Sequence, residues 1–187
     1  MLKTTPTHTT GPFAHIGLDR THTQNIMVTP DVSGEHIKIE GRIFNAKGEP
    51  APDAIIEVWQ ANSHGRYKHP EDNQDKPLDP DFSGFGRATT NKAGQFSFTT
   101  IKPGQVPGRG NTLQAPHINV NVFASGLMTH VTTRLYFSDE TSNETDPLLS
   151  SIEDKIRRMT LIAEKTATGY KFDIYLDGPN ETAFFDA

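Results

Sequence analysis

The sequence contains no cysteine, which excludes disulfide bonds and zinc–thiolate sites and leaves histidine, tyrosine and carboxylates as the possible metal ligands. Positive charge is also scarce. The chain has 18 Lys and Arg against 23 Asp and Glu, a formal net charge of −5, which favours neither a nucleic-acid nor an anionic-membrane partner. Apolar runs of the length of a signal peptide or a membrane span are absent as well, so we expect a cytoplasmic protein.

The N-terminal residues have few side chains that a core could bury. Residues 1–12 are rich in Thr and Pro, a composition that predicts an arm without structure of its own, which a partner surface could order. The 187-residue length favours a single domain with a hydrophobic core. We therefore predict an N-terminal arm and linker over residues 1–30 and one domain over residues 31–187.

Alternation of apolar and polar residues predicts strands through most of the domain. In "HIKIEGRIF", for example, Ile37, Ile39 and Ile43 fall on one face. The other strand patterns lie at residues 54–60, 86–90, 96–101, 117–123 and 131–137, with a hairpin across residues 167–169. Residues 61–86 carry Pro, Gly, Asp and Asn without any period, which predicts a long surface loop.

One segment has helical periodicity. After Asp146 and Pro147, the apolar residues Ile152, Ile156 and Met159 recur at spacings of four and three, which predicts one helix of about two turns with an apolar stripe. Short strands, Gly- and Pro-rich turns and a single small helix together predict an all-β fold, an antiparallel β-sandwich with long loops.

Residues 115–123, "APHINVNVF", contain a spacing typical of metal sites. His117 and Asn119 are two positions apart in a predicted strand, so their side chains point to the same face. Two histidines at this spacing can hold one ion, whereas an Asn amide is a neutral and weak ligand. Tyr67 and His117 each flank an irregular, Pro-rich loop, where sites are commonly built. Arg134 lies in a β-branched and aromatic strand and either snorkels, forms an ion pair or holds a carboxylate.

Residues 39–67, "IEGRIFNAKGEPAPDAIIEVWQANSHGRY", resemble the signature segment of the intradiol ring-cleavage dioxygenases. The segments "PLDPDFSGFGRATTNKAGQFSFTTIKPG", "PHINVNVF" and "TTRLYF" continue the similarity, and "GPFAHIGL" near the start is similar to the alpha chains of the two-chain members. The matching segments span nearly the whole chain. The resemblance implies a β-sandwich core, in agreement with the strand pattern.

The family holds a non-haem ferric ion with two tyrosines and two histidines, and the resemblance places these positions on Tyr67, Val106, His117 and Asn119. Val106 has no lone pair to offer, and Asn119 does not replace an imidazole. The resemblance therefore implies a vestigial site that binds no metal in this chain. Gln114 falls where catalytic chains carry an arginine beside the substrate.

An alpha chain of this family would pair with a homologous beta chain that binds the Fe(3+). The reaction implied is insertion of both atoms of O2 into a catechol that carries a carboxylate. Protocatechuate would yield 3-carboxy-cis,cis-muconate, in the beta-ketoadipate pathway of aromatic-compound breakdown. The resemblance places Thr9, Pro12 and Arg134 in the wall of the partner's substrate pocket, with Arg134 available to the substrate carboxylate.

Two other functions stay open. A single-chain dioxygenase could replace the missing ligands with His64, His69 or a carboxylate from residues 70–75. A non-enzymatic β-sandwich binding module could also contain the two-strand segment at residues 41–58. A metal assay on the isolated chain would test the first alternative, and co-purification with an iron-containing homologue would test the second.

Overall fold

The computed structural model describes residues 6–11, 14–19 and 24–186. The strands in these residues are β1 His36–Phe44, β2 Ile55–Gln60, β3 Phe85–Thr89, β4 Gln95–Ile101, β5 Val106–Pro107, β6 Leu113–Gln114, β7 His117–Phe123, β8 Val131–Phe137, β9 Ile162–Thr166, β10 Gly169–Lys171 and β11 Ile174–Tyr175. The helical segments are a π-helical turn at His15–Asp19, a 3-10 turn at Thr141–Thr145, α1 Pro147–Ser151 and α2 Lys155–Met159. The prediction of an all-β fold is confirmed.

Most of the strands belong to one large mixed sheet, which folds into two layers. Strand order is β11-β1-β10-β9-β8-β7-β2-β3, and β4 pairs with the other edge of β1. Both β10 and β11 run parallel to β1, and β9 runs parallel to β8, so the predicted antiparallel sandwich contains three parallel pairings. Strand β9 pairs with both β8 and β10 and thereby joins the two layers. Strands β5 and β6 form a separate hairpin.

Every second side chain of β1 is buried, as the alternation predicts, and Ile37, Ile39 and Ile43 enter the main hydrophobic core. Gly41 occupies the remaining inward position, where a Cβ would overlap the carbonyl oxygen of Phe172. This close approach occurs where the chain passes from β10 to β11 along β1, so a larger residue at position 41 would force these strands apart. A second, smaller cluster of buried residues comprises Ala115, Tyr136, Leu149, Leu161 and Ala183.

Residues 24–27, here called the strap, close one side of the sandwich. The strap exchanges two backbone hydrogen bonds with Arg87 of β3 and two with Thr99 of β4, so it pairs with the edge strands of both layers. The side chain of Met27 is buried in the core. The division of the chain into an arm and a domain at residue 30 stays a prediction.

The prediction of one helix after Asp146 and Pro147 is wrong in its extent. A helix does begin at this point, with Asp146 as the N-cap of α1 and Pro147 as its first residue, but α1 ends at Ser151. A second helix begins after Asp154, whose side chain accepts hydrogen bonds from two backbone N–H groups of α2. The expected apolar stripe does not enter the core, because Ile156 and Met159 are 78% and 64% exposed.

The hairpin predicted near the C-terminus is confirmed by the antiparallel pairing of β9 with β10, in which Thr166 lies opposite Gly169. The loop predicted over residues 61–86 ends at residue 84, because β3 begins at Phe85. It does not lie wholly on the surface, since Asn62 and Phe82 are buried. In the part of the chain that the structure describes, no helix has the length and apolar character needed to cross a membrane.

Candidate functional site

A cavity of about 650 Å³ lies where β7 begins, beside the β5–β6 hairpin. We call it the Tyr67–His117 cavity. It is lined by Tyr67, His69, Glu71, Asp72, Asn73, Gln74, Val106, Pro107, Gln114, His117 and Arg134. The structure thus brings together three of the four positions to which the resemblance assigns metal ligands. The fourth, Asn119, is the cross-strand partner of Arg134 and interacts with the Tyr67 phenol.

Tyr67 is held in the wall of the cavity by the loop that follows β2. Its ring stacks on Trp59 with the ring centroids 5.9 Å apart, and its backbone N–H donates to Asp72 at 2.8 Å. Burial raises the pKa of the Tyr67 phenol above its usual value, against the opposing charge of Arg134 and a hydrogen bond with Asn119. At neutral pH the side chain is therefore a neutral phenol that can donate a hydrogen bond.

His117 is buried at the start of β7. Its Nδ1 lies 2.8 Å from the carbonyl oxygen of Ala115, and because a carbonyl only accepts, Nδ1 carries the proton. Burial, reinforced by the charge of Arg134, lowers the pKa of His117 to about 4. The ring is therefore neutral at neutral pH, and its Nε2 carries a lone pair.

Arg134 is the cation of the cavity wall. Its Nη1 donates to the side-chain oxygen of Gln114 at 2.6 Å, and Gln114 in turn donates to the carbonyl oxygen of Pro107 at 3.0 Å. Gln114 therefore ties the guanidinium of β8 to the β5–β6 hairpin. Sequence reasoning singled out Arg134 but missed this contact, because no local pattern indicates that residues 114 and 134 meet.

Asp146 is a further residue that the sequence did not point to, apart from its role at the start of a helix. Its side chain is fully buried and accepts hydrogen bonds from the Tyr136 hydroxyl at 3.2 Å and the Ala115 N–H at 2.8 Å. It also caps α1 through the N–H groups of Leu148 and Leu149, both at 2.9 Å. Since the Ala115 carbonyl accepts the hydrogen bond from Nδ1 of His117, Asp146 orders the backbone that positions this histidine.

The residues of the cavity do not fit a ferric ion. Val106 has no donor atom, and the amide nitrogen of Asn119 donates to the carbonyl oxygen of Trp59 at 3.3 Å. Arg134 places a fixed positive charge on strand β8 directly opposite Asn119, and this charge repels a cation. Two of the four expected ligands are thus replaced, one by the apolar side chain of Val106 and the other by Asn119, whose amide hydrogen-bonds within the protein.

Of the substitute ligands considered for a single-chain dioxygenase, His69, Glu71 and Asp72 line the cavity and His64 does not. Asp72 already accepts hydrogen bonds from the backbone N–H groups of Tyr67 and Gln74. Within residues 6–11, 14–19 and 24–186, no group of three or more His, Cys, Asp or Glu side chains could hold a metal ion.

The arm residue Thr9 lies at a different end of the sandwich from Arg134. Its hydroxyl accepts a hydrogen bond from the N–H of Gly126 at 2.7 Å, in the turn between β7 and β8. The last pair of the ladder before that turn, Val122–Val131, is three residue pairs beyond the Asn119–Arg134 pair, so the turn begins more than about 10 Å from Arg134 along the strands. The structure does not bring Thr9 and Arg134 together within one chain. Pro12 lies outside the described residues.

Comparison with known proteins gives matches along the whole chain. The model of a family described as "Dioxygenase" matches residues 9–178. The protocatechuate 3,4-dioxygenase alpha chain of Pseudomonas putida is 41% identical over 201 residues, which cover 100% of this chain and 98% of that protein. The protocatechuate 3,4-dioxygenase beta chain of Burkholderia cepacia is 36% identical over 174 residues, which cover 88% of this chain and 74% of that protein.

Solved structures show the same fold. The dioxygenase domain of a dioxygenase carbohydrate-binding protein fusion from Streptomyces sp. SirexAA-E superposes with a TM-score of 0.64 at 26% identity, over 93% of this chain and 99% of that one. Catechol 1,2-dioxygenase from Pseudomonas arvilla C-1 gives a TM-score of 0.62 at 20% identity, over 84% of this chain and 58% of that one. The two-layered sheet that carries the Tyr67–His117 cavity is therefore common to this chain and these enzymes.

Proposed function

The chain belongs to the intradiol ring-cleavage dioxygenase family, and from this membership we propose that it is the alpha subunit of a two-chain protocatechuate 3,4-dioxygenase. One observation carries the proposal. The Tyr67–His117 cavity keeps one tyrosine and one histidine, whereas Val106 and Asn119 stand at the other two ligand positions. A chain that retains the fold but half of the ligands needs another chain to supply the metal.

In this proposal a homologous beta chain binds the Fe(3+), and the assembled enzyme converts protocatechuate and O2 to 3-carboxy-cis,cis-muconate. Full-length similarity to an alpha chain supports the assignment, and similarity to a beta chain supports a shared fold for the two partners. Permanent partners of this kind commonly bury more than about 2,000 Å² in total. We also propose that the assembly is cytoplasmic.

We propose that Arg134 meets the carboxylate of the substrate and that Thr9 and Pro12 of the arm line the same pocket. The guanidinium uses Nη1 for Gln114, and its planar fork suits a carboxylate. Because Thr9 and Arg134 lie at different ends of the β7–β8 ladder, they can contact one substrate only if the arm changes position on assembly or two copies contribute. Deletion of residues 1–12 should then weaken assembly or substrate binding while the sandwich stays folded.

Iron content separates this proposal from a single-chain enzyme. The chain expressed alone should contain no stoichiometric iron and show no tyrosinate-to-iron colour, whereas its complex with the beta chain should contain iron and cleave protocatechuate. Stoichiometric iron in the isolated chain, lost on changing Tyr67 or His117, would refute the proposal. A chain that never co-purifies with an iron-bearing homologue would instead favour a binding module.

Steady-state kinetics of the complex test the role of Arg134. Arg134→Ala should raise KM for protocatechuate by about ten- to a hundredfold, the value of one charge-assisted contact, with a smaller change in kcat. A catechol without the carboxylate should show little penalty. Arg134→Lys should recover part of the loss, because a point charge does not reproduce the planar fork. Equal penalties for both substrates would make Arg134 a structural residue.

A further inference from the structure

We infer that Asp177 and Gly178 form a site of spontaneous covalent modification, at which the aspartate converts to isoaspartate. They are the only Asp–Gly pair in the sequence, which has no Asn–Gly pair. The pair lies in the loop that follows β11, and the Asp177 side chain is exposed. The inference goes beyond the proposed function, because the reaction needs neither a metal nor a partner chain.

The folded loop brings the two reacting groups together. The backbone N–H of Gly178 donates to Oδ1 of Asp177 at 2.6 Å. The carbon that carries this oxygen, Cγ, is therefore close to the Gly178 nitrogen, which is the atom that attacks it. Gly178 has a φ of +100°, a conformation that favours glycine, and it has no side chain to hinder the approach. Reacting groups that are already placed in contact meet the condition for a fast intramolecular reaction.

Other aspartates and asparagines with local hydrogen bonds direct their side-chain oxygens elsewhere. They accept from the backbone N–H two residues further along the chain, as in an Asx turn or a helix cap, and they are Asn45, Asn62, Asp72, Asp79, Asn91, Asp146 and Asp154. Asp177 differs from all of these, because it accepts from the residue that directly follows it. Its geometry thus matches the modification as well as its sequence does.

The conversion takes two balanced steps. The Gly178 nitrogen forms a bond to Cγ of the protonated Asp177 carboxyl group, and its proton leaves with the carboxyl hydroxyl as water, which closes a five-membered succinimide ring. Water then opens the ring at one of its two carbonyls. Breaking the new Cγ–N bond restores aspartate. Breaking the original C–N bond leaves a backbone that runs through Cβ and Cγ, with a free α-carboxylate, which is isoaspartate.

The loop can accept the longer backbone because its two ends are fixed to each other. The Tyr175 N–H donates to the Thr182 hydroxyl, and the Thr182 N–H donates to the Tyr175 carbonyl, both at 3.0 Å. The additional backbone atom of isoaspartate lies between these two residues. We therefore expect β11 to stay paired with β1 and the modified chain to remain folded.

The experiment is incubation of the isolated full-length chain in mildly acidic buffer. Isoaspartate is measured by methyl transfer from S-adenosylmethionine with an isoaspartate-specific methyltransferase, and peptide mapping locates it. We expect it to accumulate at Asp177 at least as fast in the folded chain as in a synthetic peptide of residues 171–183. Asp177→Glu should abolish the signal, because glutamate would have to close a six-membered ring.

A matched pair of variants separates the effect of geometry from that of sequence. Asp177→Asn and Lys92→Gly each place an asparagine before a glycine, at two exposed positions. The side-chain oxygen of Asn91 accepts from the N–H groups of Ala93 and Gln95, whereas the side chain at position 177 faces the next nitrogen. Deamidation, measured by mass spectrometry, should be at least about tenfold faster at position 177.

The inference is overturned if isoaspartate forms at Asp177 more slowly in the folded chain than in the peptide. It is also overturned if Asn91 of the Lys92→Gly variant deamidates as fast as position 177 of Asp177→Asn. Thermal unfolding shows that each variant is folded before incubation. The result is independent of the proposed function, since the assay contains no iron, protocatechuate or partner chain.

Discussion

The Tyr67–His117 cavity and the buried cluster around Asp146 adjoin at Ala115 and use their polar groups in different ways. The N–H of Ala115 donates to Asp146, and its carbonyl accepts from His117. In the cluster, four donors of the protein converge on one carboxylate. In the cavity, His117 uses one of its two ring nitrogens for the protein. Polar groups whose hydrogen bonds are all made within the protein stabilise the fold. Polar groups that keep a free donor or acceptor can bind a ligand and so define a site.

The strongest test of this comparison is Asp146→Ala. The substitution leaves the Tyr136 hydroxyl and three backbone N–H groups without their acceptor, inside the protein, and removes the cap of α1. We expect the free energy of unfolding to fall by about 4 kcal/mol, measured by urea denaturation. Asp146→Asn retains an acceptor oxygen and should lose less. A loss below about 1 kcal/mol for the alanine variant would mean that water replaces the carboxylate.

The second test uses pH. The pKa of His117 is about 4 in the folded chain, below the value near 6.5 expected when unfolded. Between these values the unfolded state binds more protons. The contribution of His117 to the free energy of unfolding is therefore fully present above pH 6.5 and declines as the pH falls towards 4. The decline should be on the order of 3 kcal/mol. Chemical denaturation across this range should show it, and His117→Gln should flatten the curve.

The third test asks whether the cavity can be returned to a metal site. Val106→Tyr with Asn119→His restores both missing ligand types, but Arg134 still repels the ion. Adding Arg134→Gln should strengthen ferric binding by about tenfold or more, because it removes the repulsion between the guanidinium and the ion. Gln114→Arg should have the opposite effect, because it brings a second guanidinium against Arg134. Elemental analysis and the tyrosinate-to-iron absorption band measure the result. Equal iron affinity with and without Arg134 would contradict this electrostatic account.

The smallest effect is expected at Asp154, a cap that resembles Asp146 in role but lies at the surface. Its carboxylate accepts from the N–H groups of Ile156 and Arg157 at the start of α2. Because water can reach these groups when the carboxylate is removed, Asp154→Ala should cost about 1 kcal/mol of unfolding free energy. A loss equal to that of Asp146→Ala would show that burial does not account for the expected difference in unfolding free energy between the two caps.

The longer strands were predictable because they combine alternation with a nearby turn, as in Ile37, Ile39 and Ile43 of β1. The two-residue strands β5 and β6 were not predicted, because two residues are too few to show a period. The break between α1 and α2 was not predictable either, since the spacing of Ile152, Ile156 and Met159 suits one helix equally well. In the structure, Ile152 leaves the helical conformation at the end of α1, and Asp154 caps the start of α2. The apolar content of this segment was overvalued as a sign of burial.

For the site, the resemblance predicted which positions would be the former ligands, and the structure brings Tyr67, Val106 and His117 to one cavity. The contact between Gln114 and Arg134 could not be predicted, because it depends on the register of β7 with β8 and on the position of the β5–β6 hairpin. The same holds for the hydroxyl of Tyr136 on Asp146. A contact between two single polar groups that are far apart in the sequence leaves no repeating pattern from which it could be predicted.

The connections of β1 have a consequence for the order in which the chain can fold during synthesis. One edge of β1 pairs with β4. The other edge pairs with β10 and β11, so it stays unpaired until the chain from Gly169 onwards has been made. The strap likewise has no partners until Arg87 and Thr99 have left the ribosome. The first strand to be made is thus among the last to gain both neighbours, and a nascent chain that stops short of Gly169 exposes an unpaired edge of β1 to its surroundings.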